Sequence, residues 1–137
     1  MKKSGVMMFR WLPLFFYCAL IFVLSSRPVP ENMPDMFFMD KILHFFGYAL
    51  LGVLFFKAYQ TLPLNNKRRL LVFLSVLSAS LYGISDEIHQ HFVPARSADI
   101  WDVLADMLGS IFGVFIFHHA LHRRIHHSSV DKTPNLL

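Results

Sequence analysis

The placement of the charges constrains this chain more than any other feature. Four long apolar stretches are separated by short polar connections: Met7 to Leu24, Ile42 to Tyr59, Leu70 to Ser85 and Ile100 to Leu121. Each is about 16 to 22 residues long. A helix rises 1.5 Å per residue, so roughly 20 residues cross a hydrocarbon core about 30 Å thick. Interruptions are few: Arg10 and Pro13 in the first stretch, His44 and Lys57 in the second, Asp102 and Asp106 near the start of the fourth. Apolar side chains all round each helix fit lipid better than a one-sided stripe would. The expected fold is all-α, a four-helix transmembrane bundle with short loops. Its membrane domain covers residues 1–122 (helices about 7–24, 42–59, 70–85 and 100–121), and 123–137 form a polar cytoplasmic tail. The third helix is the shortest, which tilt or shelter by its neighbours accommodates.

Composition agrees. Only 16% of the 137 residues are charged, against about 25% in an ordinary soluble domain. Fifteen Phe and 55% hydrophobic residues exclude disorder. Cys18 stands alone, so no intrachain disulfide forms. Lys2, Lys3 and Arg10 before an apolar run also begin a secretory signal peptide. However, Leu24-Ser25-Ser26-Arg27-Pro28 is a poor cleavage site, so a retained first helix is expected.

The charges also set an orientation. Ten of the thirteen cationic residues fall on one side: Lys2, Lys3, Arg10, Lys57, Lys67, Arg68, Arg69, Arg123, Arg124 and Lys132. Arg27, Lys41 and Arg96 fall on the other. The positive-inside rule then makes both termini cytoplasmic. Eight acids segregate outward (Glu31, Asp35, Asp40, Asp86, Glu87, Asp99, Asp102 and Asp106), and Asp131 lies inside. The net charge of +4 is therefore a topology signal, and no nucleic-acid partner is expected. Pro28, Pro30 and Pro34 keep the first outer loop extended, and Pro94 interrupts the second. The tail around His126, His127, Ser128 and Ser129 is expected to be mobile.

The informative residues lie at the outer helix ends. On helix two, Lys41, His44 and Tyr48 share an arc of roughly 60°. On helix three, Ser75, Ser78, Tyr82, Asp86 and His89 are expected on one face. On helix four, Asp99, Asp102, Asp106, Gly109 and Gly113 share an arc of about 80°. An intramembrane charge costs about 2.5 kcal/mol or more at the helix centre. One shared cluster is the economical solution: Lys41, His44, Asp86, Glu87, His89, Gln90, Arg96, Asp99, Asp102 and Asp106 around an outward-open pocket, with Arg96 paired to Asp102. Gly109 and Gly113 form a small-residue seam, as do Gly47 and Gly52 on helix two. Structural readings stand beside these. Asp40 complements a helix dipole, Asp99 caps helix four, and His44 is a satisfied buried histidine. His118 and His122 have metal spacing, but no acid or Cys completes a site, so a solvated tail is the better reading.

Taken in order, these residues resemble the VanZ-like family of small bacterial integral membrane proteins, over about Leu24 to Gly113. Ser25-Ser26-x-Pro28 is similar to its first signature, and Asp40-Lys41-x-x-His44-x-x-x-Tyr48-x-x-Leu51 to its second. Asp86-Glu87-x-His89-Gln90-x-Phe92-x-Pro94-x-Arg96 and Asp102-x-x-x-Asp106-x-x-Gly109-x-x-x-Gly113 are similar to the third. Ala95 stands where the family often has Gly, and Asp106 where Asn also occurs. The family is named for an accessory protein of glycopeptide resistance. The resemblance implies a multi-pass protein of the cytoplasmic (inner) membrane and a link to teicoplanin susceptibility, but no mechanism.

Two classes of function are carried forward. In one, the outer pocket binds an anionic lipid or lipid-linked wall precursor. Lys41, His44 and Arg96 hold phosphate. Asp86, Glu87, His44 and Asp102 are the acid/base candidates, and Asp86, Glu87, His89 and Asp102 are candidate ligands for a divalent cation. In the other, the helix bundle is non-catalytic and its ion pairs specify packing or a partner surface. Whether the chain is an enzyme, and its oligomeric state, stay open, and no other cofactor is evident. A transporter is a weaker third reading, because four helices without a repeat need oligomerisation to form a path.

Overall fold

The computed structural model describes residues 3–28, 37–64, 67–94 and 96–130, with side chains for 5–28, 38–64, 67–94 and 96–123. Four helices follow in chain order: α1 (Lys3–Ser25), α2 (Phe37–Tyr59), α3 (Arg68–Gln90) and α4 (Ile100–Val130). There is no strand among the described residues. All four helices are long and apolar enough to cross a membrane. The all-α, four-span expectation therefore holds. Pro30 and Pro34 of the first outer loop, Ala95 of the second and residues 131–137 of the tail lie outside the described residues.

The helix ends differ from the apolar limits in an instructive way. α2 begins at Phe37 rather than Ile42, because Asp40 fits a first helical turn, where the dipole favours an acid. α3 continues past Ser85 to Gln90, since Asp86, Glu87, His89 and Gln90 all find partners inside the bundle. α4 runs on to Val130, so the first part of the stretch expected to be a mobile tail is helical. Pro13 sits inside α1, where it leaves the Phe9 carbonyl without its usual N–H donor.

The most extensive interface joins α2 to α4, and α3 packs on both. Among the described residues, α1 rests on α2, touches α3 and does not pack against α4. Its outer face is bare: Phe9 is 77% and Phe16 68% exposed, as expected of a lipid-facing surface. Polar tips fasten it. Tyr17 Oη donates to the Gly47 carbonyl at 3.1 Å, Tyr82 Oη to the Cys18 carbonyl at 2.7 Å, and Trp11 Nε1 to Thr61 Oγ1 at 2.9 Å.

Glycine makes the α2–α4 interface possible. A Cβ on Gly109 would collide with the Phe45 carbonyl, and one on Gly113 with the Ala49 carbonyl. A Cβ on Gly52 would lie 3.0 Å from both the Ser110 carbonyl and Val114 Cγ2. Gly109, Gly113 and Gly52 thus form the expected seam, whereas Gly47 faces Tyr17 of α1. Backbone-to-backbone approach of this kind replaces the hydrophobic effect, which does not drive helices together in lipid. Leu51, Phe56 and Val114, each at most 1% exposed, fill the space between the helices.

Gly109→Val is expected to force α2 and α4 apart and cost at least about 1–3 kcal/mol, the usual penalty of overpacking. Gly5→Val, with nothing within 4 Å of its would-be Cβ, serves as the control. Thermal unfolding of both variants in mild detergent checks this, and equal midpoints would contradict the seam.

Candidate functional site

The site is built where α2 and α4 begin and α3 ends. α4 starts with a cap: Asp99 Oδ1 accepts from the Trp101 N–H at 2.9 Å. In an ordinary capping box, the acid three residues after the cap reaches back to the cap's own N–H. Here Asp102 holds that position, yet the Asp99 N–H donates to Glu87 Oε2 of α3 at 2.9 Å. A neighbouring helix completes the cap and leaves Asp102 for another partner.

That partner is Lys41 of α2. Its Nζ lies 2.6 Å from Asp99 Oδ2, 2.6 Å from Asp102 Oδ1 and 3.9 Å from Asp40 Oδ2. The Lys41 ammonium, with help from the Trp101 N–H, holds the Asp99 carboxyl below the usual range. One turn deeper, His44 Nδ1 lies 2.9 Å from Asp106 Oδ1. With Asp106 ionised, the imidazole donates through Nδ1. Asp106 is fully buried, and Gly83 of α3 makes room for it: a Cβ there would stand 2.6 Å from Asp106 Oδ2. Tyr48 stacks near-parallel to His44, ring centres 6.2 Å apart.

A second chain of contacts runs along the side facing α1. Gln90 Nε2 donates to Asp86 Oδ2 at 3.2 Å, and Arg96 Nη1 to Gln90 Oε1 at 2.8 Å. Arg96 Nε also donates to the Arg27 carbonyl at 3.0 Å, and Nη2 reaches the Leu24 carbonyl at 3.4 Å. Arg96 therefore ties the loop between α3 and α4 to the end of α1.

Three expectations are corrected. Arg96 does not pair with Asp102, whose cation is Lys41. His89 does not join the carboxylates: its Nε2 lies 3.0 Å from Ser26 Oγ and its ring stacks on Phe22 at 4.7 Å. The expected polar face of α3 divides, because helical spacing alone does not say which neighbour each side chain meets. Ser75 and Asp86 turn into the core. Tyr82 and His89 meet α1 and the residues just after it, and Ser78 meets Tyr59 at 2.7 Å.

His89 thus leaves the metal set Asp86, Glu87, His89 and Asp102. Another set is close together: one ligand atom each from Asp40, His44 and Asp102, all within 4.8 Å of one another. The sequence places Asp40 at a helix start and in the second signature, but not among the candidate metal ligands. Gly83 is a site residue that periodicity does not mark, and a glycine three residues before Asp86 in an apolar helix is its signal. Among the described residues, the buried Tyr48 hydroxyl, Glu87 Oε1 and Asp106 Oδ2 lack a hydrogen-bond partner. All lie in this cluster, and their residues are at most 3% exposed.

The chain thus combines four helices of membrane-spanning length with a Lys–His–carboxylate cluster where three of them meet. The VanZ/LLP1 family profile matches residues 4–122, and the chain belongs to that family. A Schizosaccharomyces pombe protein described as uncharacterized is 28% identical over 100 residues. That match covers 72% of this chain and 54% of the yeast protein, so the chain spans about half the length of that relative. No solved structure matches the chain.

Lys41→Ala is expected to strand Asp102 and cost about 3–5 kcal/mol, the usual loss when one partner of a buried pair is removed. Adding Asp102→Asn should restore part of it, whereas Arg96→Ala with Asp102→Asn should be additive. Denaturant titration in detergent reads these cycles. For Asp99, a lowered carboxyl pKa contributes stability that is present above the unfolded value, about 3.9, and is lost as pH falls through the folded one. Wild-type should therefore lose more stability than Asp99→Asn on acidification below about pH 4.

Proposed function

We propose that the chain is a multi-pass protein of the bacterial inner (cytoplasmic) membrane with both termini cytoplasmic. Its acid-rich end faces outward and holds a divalent cation. Through that cation it binds the phosphate of an anionic lipid or lipid-linked wall precursor. The observation that carries this reading is the convergence of Asp40, His44 and Asp102 to within 4.8 Å.

The charge balance supports it. Asp40, Asp86, Glu87, Asp99, Asp102 and Asp106 gather at one end of the bundle with Lys41, His44 and Arg96. Two of their buried carboxylate oxygens, Glu87 Oε1 and Asp106 Oδ2, lack a hydrogen-bond partner among the described residues. A bound cation would offset that surplus of negative charge. His44 is already held through Nδ1 by Asp106, which leaves Nε2 for a metal. A carboxylate behind a ligating histidine is the usual way of orienting such a ligand. The mixed nitrogen and oxygen set suits Mn²⁺ or Zn²⁺ better than Mg²⁺ or Ca²⁺. The cation also solves a difficulty of the direct lipid grip, because Lys41 is engaged by carboxylates and Arg96 by Gln90 and two carbonyls. Binding assigns no catalytic step to Asp86 or Glu87. An influence on glycopeptide (teicoplanin) susceptibility would follow from withholding a lipid-linked precursor, and rests on the family alone.

The same engagement of Lys41 and Arg96 favours a second reading. In it the cluster is a packing network in a non-catalytic bundle, with no ligand.

Mn²⁺ binding to the purified full-length protein, followed by electron spin echo spectroscopy, separates the two. The first reading gives a ¹⁴N coupling that His44→Gln abolishes. Asp106→Asn, behind the ligand, should weaken binding about 10–100-fold. Retention of anionic lipid should fall on chelation. A protein that binds no Mn²⁺, or binds it without a nitrogen signal, supports the packing network.

A further inference from the structure

The opposite end of the bundle carries a half-open cavity of about 340 Å³. Arg10 of α1, Gln60 just beyond α2, Arg68 at the start of α3 and His118 of α4 line it, above the buried Phe56 and Leu71. Each polar group thus comes from a different helix or helix end. Arg10 is held in place, with Nη1 donating to Gln60 Oε1 at 2.9 Å and reaching the Lys57 carbonyl at 3.4 Å. Neither acceptor neutralises it.

No carboxylate stands nearby among the described side chains, since Asp40, Asp86, Glu87, Asp99, Asp102 and Asp106 all lie at the other end. Arg68 makes no ion pair or side-chain hydrogen bond with a described residue. α3 begins here with Lys67 at its cap position, no capping hydrogen bond and no acid in its first turn. The partial positive charge of that helix end therefore adds to the arginines.

Aromatic side chains flank the cavity. Trp11, next to Arg10, donates to Thr61 at 2.9 Å and packs edge-on against Tyr59 at 6.0 Å. Trp and Tyr gather at the level of lipid head groups. The apolar floor of Phe56 and Leu71 continues into the membrane-spanning part of the bundle. Basic recesses between transmembrane helices on this kind of surface suit anionic head groups.

We propose that this cavity binds the phosphate head group of an anionic phospholipid from the leaflet that meets the basic end of the bundle. Arg10 and Arg68 supply the charge-assisted donors. Unlike the acid-rich end, it needs no metal ion.

Native mass spectrometry of the full-length protein in mild detergent, with equimolar phosphatidylglycerol and phosphatidylcholine, tests this. Wild-type should retain phosphatidylglycerol about tenfold over phosphatidylcholine. Arg68→Gln, at an exposed position, should leave the thermal unfolding midpoint near the wild-type value and lose most of that preference. Arg10→Gln with Arg68→Gln should abolish it. Chelator added to wild-type should remove only the metal-dependent share of retained lipid and leave the Arg68-dependent preference in place, which separates this site from the metal-dependent one. Equal retention of both lipids, or an undiminished preference in Arg68→Gln, overturns the proposal. Displacement of the lipid by inorganic phosphate at equal concentration also overturns it, and assigns the cavity to a free anion.

Discussion

Burial of Asp102 and Asp106 between apolar helices is the constraint around which the molecule is arranged. A carboxylate on a membrane helix is tolerated only where a partner answers it. α2 supplies both partners, Lys41 and His44, one turn apart, just as the two aspartates lie one turn apart on α4. The register of α2 on α4 follows from this pairing. The same register stacks Gly109 and Gly113 on the backbone of Phe45 and Ala49, so the polar contacts and the close seam specify one geometry twice. α3 adapts to it, with Gly83 yielding space to Asp106 and Glu87 completing the cap of α4.

The four spans and the polar faces of α2 and α4 were legible in the sequence, because lipid imposes simple rules, whereas the pairings between the helices were not. Length and apolarity marked the four spans. The i, i+3, i+4 and i+7 spacing placed Lys41, His44 and Tyr48 together, and likewise Asp102, Asp106, Gly109 and Gly113. What periodicity could not supply was the neighbour of each face. α3 is surrounded by three helices, and its polar residues divide among them, so His89 turns to Ser26 and Phe22 while Asp86 and Glu87 turn inward. Arg96 sits on a loop, where no helical rule applies, and its guanidinium finds Gln90 and two carbonyls rather than Asp102. The position of α1 at the side of a three-helix core was also hidden, since an apolar helix against lipid and one against protein read alike.

The two ends of the bundle are electrostatic opposites. The acid-rich end is crowded and carries more carboxyl groups than cations. The basic end carries a half-open cavity lined by Arg10 and Arg68 and by no described acid. Under the two proposals, an anion approaches arginine directly at the basic end and is bridged by a cation at the acid-rich end.

The central claim is that α2 and α4 are joined by a direct interaction of His44 with Asp106 and not by apolar packing alone. A double-mutant cycle measures this most directly, with unfolding free energies of wild-type, His44→Phe, Asp106→Leu and the double variant in one detergent. The account predicts a coupling of about 1–3 kcal/mol, as for residues in direct contact within one polar network. Additive losses, within about 0.5 kcal/mol, would contradict it.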